Sequence, residues 1–164
     1  MKRGDILLVK YRYDPVGWII RKFTHCQWNH VAWFINDKEL IELKAIGKRK
    51  TLLSHYLNKL LYKCKVVRPL IDKHKLEKAV ERAEKSQFNY PYTSAIINFI
   101  LIRLKITNDL PRLSCSGFIA YYLAQEADFY FNGKNTWFIT PADIEKSRKV
   151  IDVSHELRCP NSSI

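Results

Sequence analysis

Apolar residues along this chain fall either in short runs closed by turn residues or at the spacing of one helix face. Gly4-Asp5 is turn chemistry, and Ile6-Leu-Leu-Val9 after it is too short for a helix, which predicts a first buried strand. Asp14-Pro15 pairs an N-cap with a first-turn proline and predicts a short helix over 15–23 that buries Val16, Ile19, Ile20 and Phe23. Asn29-His30-Val-Ala-Trp-Phe-Ile35 and Leu40-Ile-Glu-Leu43 are rich in β formers and flank the turn residues Asn36-Asp37-Lys38, so the stretch reads as a β-hairpin. Thr51 is placed to cap a helix running to about Leu60, and the alternation from Tyr62 to Arg68, stopped by Pro69, predicts a strand with one solvated face.

Asp72 opens a helix to about Ser86, with Leu76, Ala79, Val80 and Ala83 on one face, and Pro91 opens a more apolar one to about Leu104, ended by the loop at 107–111. Ser114 is a capping residue directly before a helix whose apolar stripe is Phe118, Ile119, Tyr122 and Leu123. Thr140-Pro141 repeats the cap-and-proline signal, and residues 150–153 suit a last edge strand. Strands and helices in this order, without repeat or linker, predict one α+β domain over residues 1–164: an antiparallel sheet packed against helices. With 47% hydrophobic and 13% aromatic residues the chain is no disordered segment.

Charge adds a second theme. Lys and Arg number 28 against 16 Asp and Glu, a net charge of +12, which draws a protein towards anionic partners. Between residues 44 and 68 stand Lys44, Lys48, Arg49, Lys50, Lys59, Lys63, Lys65 and Arg68 with no acidic residue, either a solvated face or an anion-binding surface. Ile6 to Val9 is too short for a signal-peptide core, and the apolar stretch at 95–104 is interrupted by Asn98 and Arg103, short of the roughly 20 residues that span a bilayer. The expectation is a cytoplasmic protein, at most peripheral to a membrane, with reduced thiols at Cys26, Cys64, Cys115 and Cys159. His25, Cys26 and His30 lack the paired spacing of a zinc site, so neither metal nor cofactor is expected. Trp28, Trp33, Tyr90, Tyr92 and Trp137 suit a core as well as a cleft wall.

Cys115 is the first residue of its expected helix, where unpaired amides and the macrodipole favour a thiolate. The backbone N–H groups of Cys115 and Ser116 are candidates to receive the oxyanion of a tetrahedral intermediate. Cys115 also fits as a small buried hydrophobe, since it shares a helical face with Phe118, Ile119 and Tyr122. In the hairpin, His30, Ala32 and Phe34 share one side of their strand. A three-residue connection places Glu42 on that side, across from Phe34 and diagonal to Ala32, whereas a two-residue turn sends it to the opposite face. A carboxylate on one ring nitrogen and a thiol at the other is the arrangement that nucleophile, base and orienting group require.

Gly4-Asp5-Ile-Leu-Leu-Val, Asn29-His30-Val-Ala-Trp-Phe-Ile, Leu40-Ile-Glu42-Leu, Ser114-Cys115-Ser-Gly-Phe-Ile-Ala-Tyr-Tyr and Thr140-Pro141-Ala-Asp-Ile together resemble the permuted branch of the NlpC-like papain-fold hydrolases, YiiX-like proteins in particular. In that branch the histidine hairpin precedes the cysteine helix, as here. The resemblance implies a permuted papain-like fold with Cys115 as nucleophile, His30 as base and Glu42 as third polar residue. It implies a thiol-dependent peptidase, amidase or acyltransferase acting on a peptide, a peptidoglycan fragment or a lipid acyl group. Between Lys44 and Leu113 the only further likeness is Asn89-Tyr90-Pro91-Tyr92. A different class of function remains beside it: a basic module that docks on an anionic membrane or nucleic acid, its triad incidental.

Overall fold

Runs of β formers broken by turn residues leave little choice but a sheet, and the sheet here is shared by both ends of the chain. The computed structural model describes residues 1–13, 26–44, 47–87, 114–133, 136 and 139–157. Among them, six strands form one antiparallel sheet: β1 (Ile6–Tyr11), β2 (His30–Phe34), β3 (Glu39–Lys44), β4 (Gly47–Leu52), β5 (Tyr62–Pro69) and β6 (Val150–Asp152). Their spatial order is β4-β3-β2-β1-β5-β6. Three helices accompany the sheet among the described residues: α1 (Lys73–Lys85), α2 (Cys115–Ala127) and α3 (Pro141–Glu145). The class is α+β.

Alternation gives the sheet two buried faces. Ile6, Leu8, Val31, Trp33, Ile41 and Leu43 pack with Leu76, Ala79, Val80 and Ala83 of α1 and with Phe118, Ile119, Tyr122 and Leu123 of α2. Leu7, Val9, Ala32, Phe34, Leu40, Tyr56, Val66 and Val153 close the other face. A strand buried on both sides cannot alternate in polarity, which is why Ile6 to Val9 is an unbroken apolar run. Trp28 and Trp33 are part of this core, 1% and 0% exposed.

The turn into β1 is fixed by two residues. Gly4 has φ +92°, and a Cβ there would stand 2.5 Å from the Leu76 side chain, so only glycine lets α1 approach. Asp5, 1% exposed, accepts from the Lys2 amide at 2.8 Å and from Arg68 Nε and Nη2 at 2.7 and 2.9 Å, tying β1 to β5.

The expected helix from Thr51 is replaced by strand β4 and a 3₁₀ turn over Leu53–Tyr56. Every polar residue of β4 has a partner. Lys48 Nζ donates to the carbonyls of Ala83 and Glu84 at 3.0 and 2.7 Å and to that of Ser86, filling the C-terminus of α1. Lys50 reaches Glu84 at 2.7 Å, while Arg49 and the Thr51 hydroxyl turn to Glu42 on the other side. A strand with polar side chains on both faces offers no apolar alternation to read. The other described elements lie where the pattern puts them. The expected helices at 15–23 and 91–104, the loop at 107–111, the tract at 89–92, Trp137 and Cys159 lie outside the described residues. Among those described, no helix is long and apolar enough to cross a membrane.

Replacing Asp5 by Ala removes three hydrogen bonds, two of them to the Arg68 guanidinium. The expected cost is about 2 kcal/mol, read as a lower urea midpoint at unchanged slope. An unchanged midpoint would show that this pair does not hold β1 to β5.

Candidate active site

Two adjoining caps fix the start of α2. Ser114 is in extended conformation and its Oγ accepts from the Gly117 amide at 3.0 Å. Ser116 is buried and its hydroxyl donates to the Ile139 carbonyl at 2.5 Å. Ile139 leads into Thr140, which begins α3 with a capping box closed by Asp143. Cys115 is thereby the first residue of a helix anchored at its N-terminus. The amides of Cys115 and Ser116 belong to the first turn, where no intrahelical acceptor exists, and that of Ser116 donates to the Cys115 sulfur.

His30 is the first residue of β2 and Glu42 lies within β3. The turn residues Asn36-Asp37-Lys38 connect Ile35 to Glu39, whose carbonyl accepts from the Ile35 amide at 3.0 Å. Pairing then proceeds Phe34 to Leu40 and Trp33 to Ile41. Glu42 does fall on the face of His30, Ala32 and Phe34, but the expected position across from Phe34 is taken by Leu40. Continued one step, the register sets Glu42 beside Ala32, because the count starts at Ile35 and Glu39. That brings the carboxylate two residue pairs closer to His30. Nε2 of His30 and Oε2 of Glu42 are 2.6 Å apart, both side chains buried.

The thiol arrives from the opposite side of the sheet. Cys115 packs beside the core on the helix-covered face, whereas His30 shares the other face with Ala32. The β2–β3 ladder comprises two pairs and ends at Trp33 and Ile41, although both strands continue. Beyond that end the Val31 amide donates to the Cys115 sulfur, which also hydrogen-bonds the His30 imidazole. With Nε2 held by Glu42, Nδ1 is the ring nitrogen left for the thiol.

Protonation follows this geometry. Burial pushes the Cys115 thiol up, but the hydrogen bond and charge of His30, with the amides of Val31 and Ser116, outweigh it and bring the thiol below its ordinary value. Burial opposes the charge on His30, and its bonds to Cys115 and Glu42 reverse that, raising it to about 9. Burial would raise Glu42 as well, yet the bond and charge of His30 and the hydroxyls of Thr51 and Tyr56 hold it well below the usual carboxylate range. Glu42 Oε1 also accepts from Arg49 Nε at 2.8 Å and Thr51 Oγ1 at 2.5 Å, and Lys44 Nζ is 3.5 Å away. Tyr56 donates its hydroxyl to Oε2. Because His30 is raised, its contribution to stability is complete below its unfolded value near 6.5 and is lost as pH climbs through about 9. Because Glu42 is lowered, its contribution is present above the ordinary carboxylate value and is lost on acidification.

All three residues singled out in the sequence thus meet. Arg49, Thr51, Tyr56 and Lys44, which surround Glu42, were not found there, and neither was Tyr11, whose ring centroid is 5.9 Å from that of His30. The available signal was the parity of Arg49 and Thr51 opposite Glu42, hidden within a run of charges. Among the described residues, no group of three or more His, Cys, Asp or Glu side chains is arranged to hold a metal ion.

Burial raises the Cys26 thiol and takes that of Cys64 to about 12, the reverse of Cys115. Near neutral pH a neutral haloacetamide is therefore expected to alkylate Cys115 at least about tenfold faster than either, and His30→Ala to slow that reaction. Equal rates, followed by peptide mass mapping, would contradict the ion-paired thiol. In comparisons with known proteins, no family model and no curated protein matches this chain.

Proposed function

We propose that the protein is a cysteine hydrolase or acyltransferase of permuted papain-like type that works through a thioacyl-enzyme on Cys115. One observation carries this reading: the Cys115 thiol, the His30 imidazole and the Glu42 carboxylate form one hydrogen-bonded line, with the thiol lowered and the imidazole raised. That is the signature of a thiolate–imidazolium pair. The order of the elements supports the permuted arrangement, since the histidine hairpin comes before the helix that carries the cysteine.

Chemistry follows from these positions. The thiolate attacks the carbonyl carbon of an amide or ester, and the displaced electron pair moves to the carbonyl oxygen, towards the amides of Cys115 and Ser116. Re-forming the carbonyl expels the amine or alcohol, which takes its proton from the His30 imidazolium. Cys115 is left as a thioester. Water or a second acyl acceptor then attacks, giving its proton to His30, and collapse releases the acid or the acylated acceptor. Thiolate and imidazolium are restored. Glu42 keeps the imidazole oriented and its charge balanced throughout.

A peptide, a peptidoglycan fragment and a lipid acyl group are all chemically acceptable substrates, met in the cytoplasm or at a membrane face. A purely basic binding module is the poorer reading, because Lys44, Lys48, Arg49, Lys50, Lys65 and Arg68 are engaged within the molecule.

With p-nitrophenyl acetate as probe, Cys115 is expected to carry an acetyl adduct detectable by mass, absent in Cys115→Ala, whose thermal midpoint stays near that of the parent. His30→Ala should lower the acylation rate by about a hundredfold or more. On an amide substrate, whose leaving group needs a proton, turnover should fall as pH rises through about 9, where the imidazolium is lost. Acylation undiminished in Cys115→Ala would remove the mechanism.

A further inference from the structure

The end of the sheet that holds the site also carries exposed apolar side chains. Tyr13 is 81% exposed, Leu60 75% and Leu61 43%. Soluble surfaces show single exposed leucines often, but these three residues stand together. β1 and β5 pair as far as Tyr11 and Tyr62, and the Arg12 amide then donates to the Leu61 carbonyl at 2.9 Å. Tyr13 and Leu60 therefore flank a single junction. The turn at Asn58, whose carbonyl accepts from the Leu61 and Tyr62 amides at 3.1 and 2.9 Å, presents Leu60 at its tip.

Cations ring this junction. Lys10, Arg12, Lys59 and Lys63 lie along the same two chain segments, and none has a carboxylate partner among the described residues. Lys63 makes a long contact to Gln27 at 3.4 Å and lies 5.9 Å from the centroid of the Trp28 ring. No acidic residue occurs between Ile6 and Tyr13 or between Leu43 and Ile71. Elsewhere in the basic tract cations are spent on internal carboxylates and carbonyls, so those of the tract without a carboxylate partner stand where the leucines protrude.

The junction is joined to the chemistry by a row of rings. Tyr62 and Tyr11 have centroids 5.3 Å apart, and Tyr11 is 5.9 Å from His30. Tyr56, 5.4 Å from Tyr62, hydrogen-bonds Glu42.

We infer that this end of the sheet is a docking surface for an anionic phospholipid bilayer, with Leu60, Leu61 and Tyr13 entering the interface and Lys10, Arg12, Lys59 and Lys63 facing the headgroups. Charge complementarity selects the occupant. Apolar insertion and basic attraction are each weak alone and bind a lipid surface together. Docking in this way turns the Cys115–His30 line towards the bilayer. The corollary, that the acyl group taken by Cys115 is borne by that surface, rests on the thiol-hydrolase reading.

The test uses the full chain with sonicated vesicles of phosphatidylcholine alone and of phosphatidylcholine with phosphatidylglycerol. Co-sedimentation is expected to be at least about tenfold stronger with the anionic vesicles and to fall with added salt. Leu60→Ser with Leu61→Ser, exposed changes checked for folding by circular dichroism, should abolish it, and Lys59→Glu should weaken it. Equal binding to both vesicles, binding retained by the double serine variant, or retention on a soluble polyanion without vesicle binding would each overturn the docking surface. Haloacetamide alkylation of Cys115 in the parent protein separates the two ideas. A slow thiol with intact vesicle binding defeats the hydrolase reading and supports the surface, while a fast thiol without vesicle binding does the reverse.

Discussion

A carboxylate shut away from water can keep its charge only if protein groups replace the hydration it loses, and Glu42 is 1% exposed. At the effective dielectric of a protein site, one opposite charge at about 4 Å returns about 4 kcal/mol, comparable to or less than the burial of an ion costs. A single partner would be marginal. Glu42 instead draws His30 from β2, Arg49 and Thr51 from β4, Tyr56 from the 3₁₀ turn and Lys44 from its own strand. The same contacts that keep the carboxylate ionised pin β4 and the turn after it to the sheet. The carboxylate they hold, together with Cys115, raises His30, and His30 in turn lowers Cys115. Fold and reactivity therefore share one set of hydrogen bonds.

Most of this fold is legible from residue pattern because local and global preferences agree. Ser114 and Thr140-Pro141 announce helices that begin at those caps, and the hairpin around Asn36-Asp37-Lys38 places His30 and Glu42 on one face. The meeting of Cys115, His30 and Glu42 could be anticipated from the roles each residue type can fill. What surrounds Glu42 could not. Residues 47–52 look like a solvated basic stretch, since a strand whose faces serve a buried carboxylate on one side and a helix terminus on the other lacks any apolar period. The pairing of the hairpin, by contrast, was within reach, since three turn residues between Ile35 and Glu39 set Leu40, not Glu42, across from Phe34.

The way the Cys115 thiol reaches the His30 imidazole shows what a sheet buried on both faces demands. A helix that packs on one face cannot touch a side chain on the other while the ladder between them is complete. Here the β2–β3 pairing ends after Trp33 and Ile41, and the Val31 amide, without a strand partner beyond that point, bonds the sulfur of Cys115. An unpaired buried amide ordinarily costs free energy. In this position it becomes one of the donors that favour the thiolate, so an interruption that would weaken a purely structural sheet opens the passage and charges it. Ser116 and Ile139 secure the helix end that enters this gap, and Glu42 secures the imidazole that meets it. A thiol held from one side and an imidazole held from the other need both anchors at once, which is why the caps of α2 and α3 matter to this hydrogen-bonded line as much as to the fold.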